Sequence, residues 1–356
     1  MAAAAPRTPA RDLPLPAFFD PRHAEEWSYR PDENALMAKA RGWKKLHDIA
    51  PSIADDKVSL LLLVDVQKDF CLPDGSLFVS GLSGRGAMDD TARLASFVYR
   101  NLARITTITC TLDTHLPHQI FFASVWVDAE GRRLEAHREV LAEDVRSGRC
   151  RIDPAVGAWL SERGPEWLER QVQFYCDELE RRGRYSLYLW PLHCLLGSEG
   201  HDLVGLIQEA RLFHGFCRES RVDLESKGLD RLTEYYSVLA PEVGKAFDGS
   251  RLAVKRSALS RELLDADRVI VAGQAASHCV GATLLDLKQL ILEHKPEMMR
   301  RVYILEDCCS SVVVRSPDGG EEILADFTVK AEAIFEECAG AGMNRVRSTD
   351  RWEDWC

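Results

Sequence analysis

The chain has 356 residues, 46% of them hydrophobic, which is enough for one large α/β domain with additions. A formal charge of -11 argues against nucleic acid as the main partner, and no run of about 18 apolar residues is present to span a membrane. Eleven cysteines without a Cys-x-x-Cys pair fit a reducing compartment, so a cytoplasmic location is expected.

Met1 to Pro14 is rich in Ala, Pro and Arg and is expected to be mobile. Its Arg7 and Arg11 suggest a transit peptide, but the long apolar core of a secretory signal is missing. Phe18 to Ile49 offers Trp27, Tyr29, Leu36 and Trp43 for packing, giving an N-terminal extension over 1–56. Val58 to Val64 then reads as a buried parallel strand that ends at Asp65. A carboxylate there must be paired, hydrogen-bonded or shifted in pKa; a helix cap or loop amides would satisfy it as well as catalysis would.

Met88 to Leu102 has the spacing of a helix, and a β-branched strand from Ile105 runs into Asp113-Thr114-His115. Alternation turns Asp113 and His115 to one side, a pair suited to zinc, iron or manganese, although a surface turn has the same pattern. From Ser124 to Tyr188 the chain is charged, notably over Arg132 to Arg146 and Glu162 to Arg182. Leu160, Trp167, Val172 and Tyr175 suggest two amphipathic helices there, forming a cap or an interface. After this insertion, Trp190-Pro191-Leu192-His193-Cys194 offers His193 as a third ligand, with His118 and Cys194 as rivals.

The last third alternates a strand at Val269, a helix from Cys279 to Glu293, a strand at Val302 and a helix from Glu321 to Cys338. This alternation implies a parallel sheet covered on both faces, with sites at the carboxyl ends of its strands. Cys279 opens a helix, where backbone N–H groups favour a thiolate and can hold an oxyanion; a cysteine beside an apolar strand is also ordinary core. Cys308-Cys309 beside Asp307 reads as strand-end core.

Four segments in order resemble the nicotinamidase branch of the isochorismatase-like cysteine hydrolases. They are Val64-Asp65-Val66-Gln67-Lys68-Asp69-Phe70-Cys71, Asp113-Thr114-His115, Trp190-Pro191-Leu192-His193-Cys194 and Ala275-Ala276-Ser277-His278-Cys279-Val280. The resemblance implies an α/β fold of three αβα layers with a mainly parallel sheet, a hydrolase domain over 57–340 with a helical insertion at about 124–188, and a tail over 341–356. It implies Asp65, Lys227 and Cys279 as catalytic residues. Lys227 is chosen because Ser226-Lys227-Gly228, followed by Tyr236-Ser237, resembles the family's lysine segment, a context that Lys245 and Lys255 lack.

By the same resemblance, Ala275 and Cys279 N–H groups form the oxyanion hole beside a cis Ala275–Ala276 bond. Asp113, His115 and His193 hold a divalent metal, zinc first, with iron or manganese as alternatives. Phe70, Trp190 and Ala276 contact a flat ring. The implied reaction is hydrolysis of nicotinamide to nicotinate and ammonia through a thioester. Alternatives are another small amide or ureido substrate, or a non-catalytic sensor of a pyridine metabolite. The expected partners are a small-molecule amide and further copies of the chain in a homo-oligomer, without nucleic acid or membrane. Two departures stand out: the long insertion, and Gln119 with His118 before it where relatives place a further histidine.

Overall fold

The computed structural model describes residues 12–253, 257–316 and 322–355; the start through Arg11, Lys255 and Glu321 lie outside the described residues. Among the described residues, six strands form one parallel sheet: β1 (Ser59–Val64), β2 (Thr107–Asp113), β3 (Val222–Lys227), β4 (Arg268–Gly273), β5 (Val302–Leu305) and β6 (Asn344–Val346). Every residue of β1 is buried, as its unbroken apolar run requires. The spatial order is β6-β5-β4-β1-β2-β3. In a doubly wound sheet of this order the crevice opens where β1 and β4 part, at the strands' carboxyl ends. Asp65 follows β1 and Cys279 follows β4, so the topology itself brings together residues more than half the chain apart.

Helices cover the sheet: α1 (Glu33–His47), α2 (Gly86–Arg100), α3 (Pro165–Arg182), α4 (Gly205–Arg218), α5 (Cys279–His294) and α6 (Thr328–Gly340). The extension packs as expected. α1 starts where the Asp32 carboxylate accepts the Ala35 N–H and ends with Lys44, Lys45 and His47 before a left-handed Asp48, and it lies along α4. Leu13, expected within a mobile start, is buried, and its N–H donates to the Arg100 carbonyl at 2.8 Å.

The insertion is not a pair of helices. Only α3 is long, with Leu168, Val172, Tyr175, Cys176 and Leu179 buried along one face. Around it run two antiparallel ribbons, Trp126–Asp128 with Cys150–Ile152 and Arg138–Val140 with Leu187–Leu189. Gly148, Pro154 and Gly164 interrupt the charged stretch too often for a second long helix. The helix expected from Glu321 begins only at Thr328, since Ile323–Asp326 pairs with Val313–Arg315. Residues expected to form a tail beyond 340 instead supply the edge strand β6 and place Trp355 against Phe97 and Tyr303. Among the described residues no helix is long and apolar enough to cross a membrane.

Gly273, where β4 turns toward Cys279, has φ +121° and lies so close to β1 that a Cβ would sit 2.1 Å from the Val64 carbonyl oxygen. Gly273→Ala is expected to cost at least about 2 kcal/mol in urea unfolding, whereas Gly42→Ala, inside α1 with open space around it, should gain roughly 0.5–1 kcal/mol.

Candidate active site

Four strand ends supply a buried charged cluster. Lys227 ends β3 and stands in register with Asp113 at the end of β2. Its Nζ lies 2.9 Å from Asp113 Oδ1 and 2.9 Å from Asp65 Oδ2, donates to the Tyr235 carbonyl at 2.7 Å, and is 3.6 Å from Cys279 Sγ. Asp65, with φ 47°, donates its N–H to Thr111 Oγ1 at 3.0 Å, and the Thr111 hydroxyl donates in turn to Asp65 Oδ1. Cys279 is the first residue of α5, and its sulfur and carboxylate oxygens of Asp65 and Asp113 all lie within 4.8 Å of one another.

Burial decides the shifts of Asp65 and Cys279 in this cluster, and charge pairing decides that of Lys227. Burial pushes the Asp65 carboxyl up, against the pull of Lys227. It also raises the Cys279 thiol well above its usual range, Lys227 offsetting only part of the effect. The helix start alone therefore does not hold a resting thiolate. Burial opposes the charge on Lys227 too, but Asp113 and Asp65 outweigh it and keep the ammonium.

A second set shares Asp113. His115 Nε2 lies 3.0 Å from Asp113 Oδ2, and His193 Nε2 lies 3.9 Å from the same oxygen. Each imidazole turns its Nδ1 toward a backbone carbonyl, His115 to Gly228 at 3.3 Å and His193 to Pro191 at 2.8 Å. A carbonyl only accepts, so Nδ1 carries the proton and Nε2 presents a lone pair. With its proton on Nδ1, the buried His115 Nε2 has no donor to accept from. One carboxylate oxygen and two imidazole nitrogens converging without a donor suit a divalent cation. The group Asp65, Asp113 and Cys279 has comparable spacing, but the Lys227 ammonium already supplies its positive charge.

Gly228 makes room for this set. A Cβ there would meet Asp113 Oδ1 and His115 Cε1, both at 2.9 Å. Burial and the neighbouring His115 lower the His193 pKa to about 4, which keeps its nitrogen free to bind at neutral pH. Of the rivals, His118 sits half-buried 6.5 Å from the Trp159 ring, and Cys194 donates its N–H to Asp69 Oδ2 at 2.7 Å; neither belongs to the converging set. Lys245 lines a surface groove instead of the cluster.

Phe70, Trp190, His193, Asp113, Ala275 and Cys279 all face one cavity. Among the described residues, the N–H groups of Ala275 and Cys279 meet no protein acceptor. Two expectations need correction. Ala276 does not line this cavity, because its N–H turns away to the Ser310 carbonyl at 2.7 Å. The cis peptide is Gln274–Ala275, one bond earlier than expected, where the chain leaves β4. The insertion reaches the site through Tyr185, whose hydroxyl donates to the Ser277 carbonyl at 3.2 Å.

Several residues without an expected role complete the frame. Gln67 accepts the Asp113 N–H at 2.7 Å and donates to the Asp113 carbonyl at 2.8 Å, clamping β2 to the loop after β1. The buried Asp69 carboxylate holds Cys194 N–H at 2.7 Å and Ser76 N–H at 2.9 Å, tying the His193 loop to the segment of Phe70. Both lie within the Asp65 segment, which was the signal available. Gln119, at the position of the departure, donates to the Gly228 carbonyl at 2.6 Å behind His115. Glu234 and Tyr236 join the cavity wall, and burial raises the Glu234 carboxyl to about 7.

No protein-family model matches the chain. A yeast nicotinamidase, Pnc1p, solved with the inhibitor nicotinaldehyde, superposes with a TM-score of 0.50 at 18% identity, covering 82% of this chain and 100% of the yeast chain. The fold is that of the nicotinamidases. The nicotinamidase of Escherichia coli (strain K12) is 29% identical over 160 residues, 42% of this chain and 62% of that protein. The chain thus spans less than two thirds of the length of this curated nicotinamidase. A nicotinamidase–pyrazinamidase from Acinetobacter baumanii is 18% identical and covers 83% of this chain and 99% of its own, with a TM-score of 0.47. The resemblance read from the four segments stands on the shared fold and the curated match.

Metal titration tests the ligand set. The protein is expected to bind one zinc ion per chain by calorimetry, and His115→Ala or His193→Ala should weaken binding at least tenfold, while Gln119→Ala, one layer behind, should weaken it less.

Proposed function

We propose that the chain is a cysteine amidohydrolase that converts nicotinamide, or a close flat heteroaromatic amide, to its acid and ammonia. The observation that carries this reading is Asp113, whose one oxygen meets the Lys227 ammonium beside Cys279 while the other meets the two histidines. That arrangement joins a nucleophile and its base to a place for orienting a ring.

In the reaction, Cys279 Sγ attacks the amide carbon as Asp65 takes the thiol proton. The N–H groups of Ala275 and Cys279 hold the developing oxyanion. Collapse of the tetrahedral intermediate breaks the C–N bond, and the proton on Asp65 leaves with ammonia. Asp65 then takes a proton from water as the hydroxyl oxygen attacks the thioester. The C–S bond breaks, the acid departs and the thiol regains its proton. Lys227 balances the charge as Asp65 cycles between its two forms.

Asp113, His115 and His193 would hold a divalent ion, zinc before iron or manganese, whose contribution when bound is to bind a pyridine nitrogen and so orient the carboxamide. Phe70 and Trp190 would flank the ring.

Ammonia release from nicotinamide by the metal-replete protein tests the reading. Turnover should fall by roughly 10²–10⁴-fold in Asp65→Asn and be lost in Cys279→Ala. Pyrazinamide should be hydrolysed and benzamide, which lacks the ring nitrogen, only weakly. Equal turnover of benzamide would contradict the orienting role of the metal set, and undiminished turnover in Cys279→Ala would contradict the covalent mechanism.

A further inference from the structure

Beside the catalytic cavity lies a larger one, and the two share Tyr236 and His278 as walls. The inner cavity is the tighter of the two, about 30 Å³ against about 340 Å³ for the outer. The outer chamber is formed by Tyr185, Tyr188 and Glu139 of the insertion together with Phe327 and Lys330 at the start of α6. His278 is the septum. Its ring stacks on Tyr185 at 5.5 Å and meets Phe327 edge-on at 4.9 Å, while Trp190 of the inner cavity lies 5.4 Å away. The inner space has no room for a substituent on a bound ring, and the adjoining chamber does.

The charges of the chamber define what such a substituent carries. Arg184 is paired with Asp286 at 2.7 Å and lies 3.9 Å from Glu242. Glu180 accepts the Ala142 N–H at 2.7 Å, and Glu139 is exposed at the rim. Lys330 differs. Its Nζ lies 3.5 Å from the Tyr185 ring centroid and donates to the Arg184 carbonyl at 2.8 Å, but among the described residues no carboxylate lies within 4.0 Å of it. Burial lowers its pKa to about 8, more than the pull of the more distant Glu242 and Glu139 restores. Flat aromatic walls leading to an unpaired cation fit an apolar or planar linker that ends in an oxyanion.

Resting on the amidohydrolase reading above, we propose that the outer chamber is an extension subsite. The substrate is a heteroaromatic amide whose ring bears a substituent ending in a carboxylate or phosphate, which reaches the outer chamber when the His278 and Tyr236 rings part and there pairs with Lys330.

The test measures kcat/KM at pH 7 with the metal-replete full chain. Substrates are nicotinamide and three ring-substituted nicotinamides of equal chain length, ending in a carboxylate, its methyl ester or a phosphate. At least one anionic substrate should exceed the ester by tenfold or more, mainly through KM, and the better of the two identifies the anion. Lys330→Met should reduce that ratio to within twofold and Lys330→Glu should invert it, both leaving nicotinamide hydrolysis unchanged. A ratio near one in the unsubstituted protein, or one that survives Lys330→Met, overturns the subsite while nicotinamide turnover keeps the reaction intact. Hydrolysis of none of the amides overturns both.

Discussion

Everything at this site depends on one buried ammonium. Lys227 sits between two carboxylates, 2.9 Å from each, where water is excluded. Two bare carboxylates there would repel one another and draw protons, and a bare amine would lose its charge; Lys227 pulls both carboxylates toward the ionised form, and they in turn keep its ammonium. The register that places Asp113 opposite Lys227 across β2 and β3 is therefore as much a part of the chemistry as the side chains themselves. Asp113 extends the arrangement, its second oxygen facing His115 and His193. The carboxylates outnumber the ammonium two to one, which favours a further cation beside the histidines.

The fold supplies these charges by ending strands rather than by shaping loops. β1, β2 and β3 deliver Asp65, Asp113 and Lys227 at or immediately after their last residues. β4 delivers Cys279 one turn later, across the tight passage at Gly273. Loops then need to be held against this rigid edge, which is the work of Gln67 and Asp69. The Cys279 thiol, raised by burial, stays protonated at rest, which ties any reactivity it has to the carboxylate beside it.

Much of this was legible in the chain because apolar strands end abruptly at polar residues. Asp65, Asp113, His115 and Cys279 each follow such a run, and period-two alternation put Asp113 and His115 on one side. Lys227 was different: its edge strand has no apolar run and leaves Leu224 exposed, and only the resemblance of Ser226-Lys227-Gly228 singled it out. The off-by-one placements at Ala275 and Ala276 arise because a tight turn sets which N–H points inward, and residue type does not encode that. The insertion misled for another reason. Charged, amphipathic sequence there suits a helix or a ribbon edge equally, and pairing of Arg138–Val140 with Leu187–Leu189 is a contact across nearly fifty residues. The Lys330 chamber was likewise invisible, since Tyr185, His278 and Lys330 meet only in three dimensions.

The central claim is that Cys279, served by Asp65 and Lys227, carries the acyl group during turnover. Acid quench of the protein mixed with excess nicotinamide, followed by mass spectrometry of the peptide containing Cys279, tests it directly. The account predicts a transient nicotinoyl adduct on Cys279 that forms with ammonia release and decays to nicotinate. Steady turnover with no adduct at any time, together with incorporation of solvent oxygen in a single step by Cys279→Ser at the native rate, would contradict it.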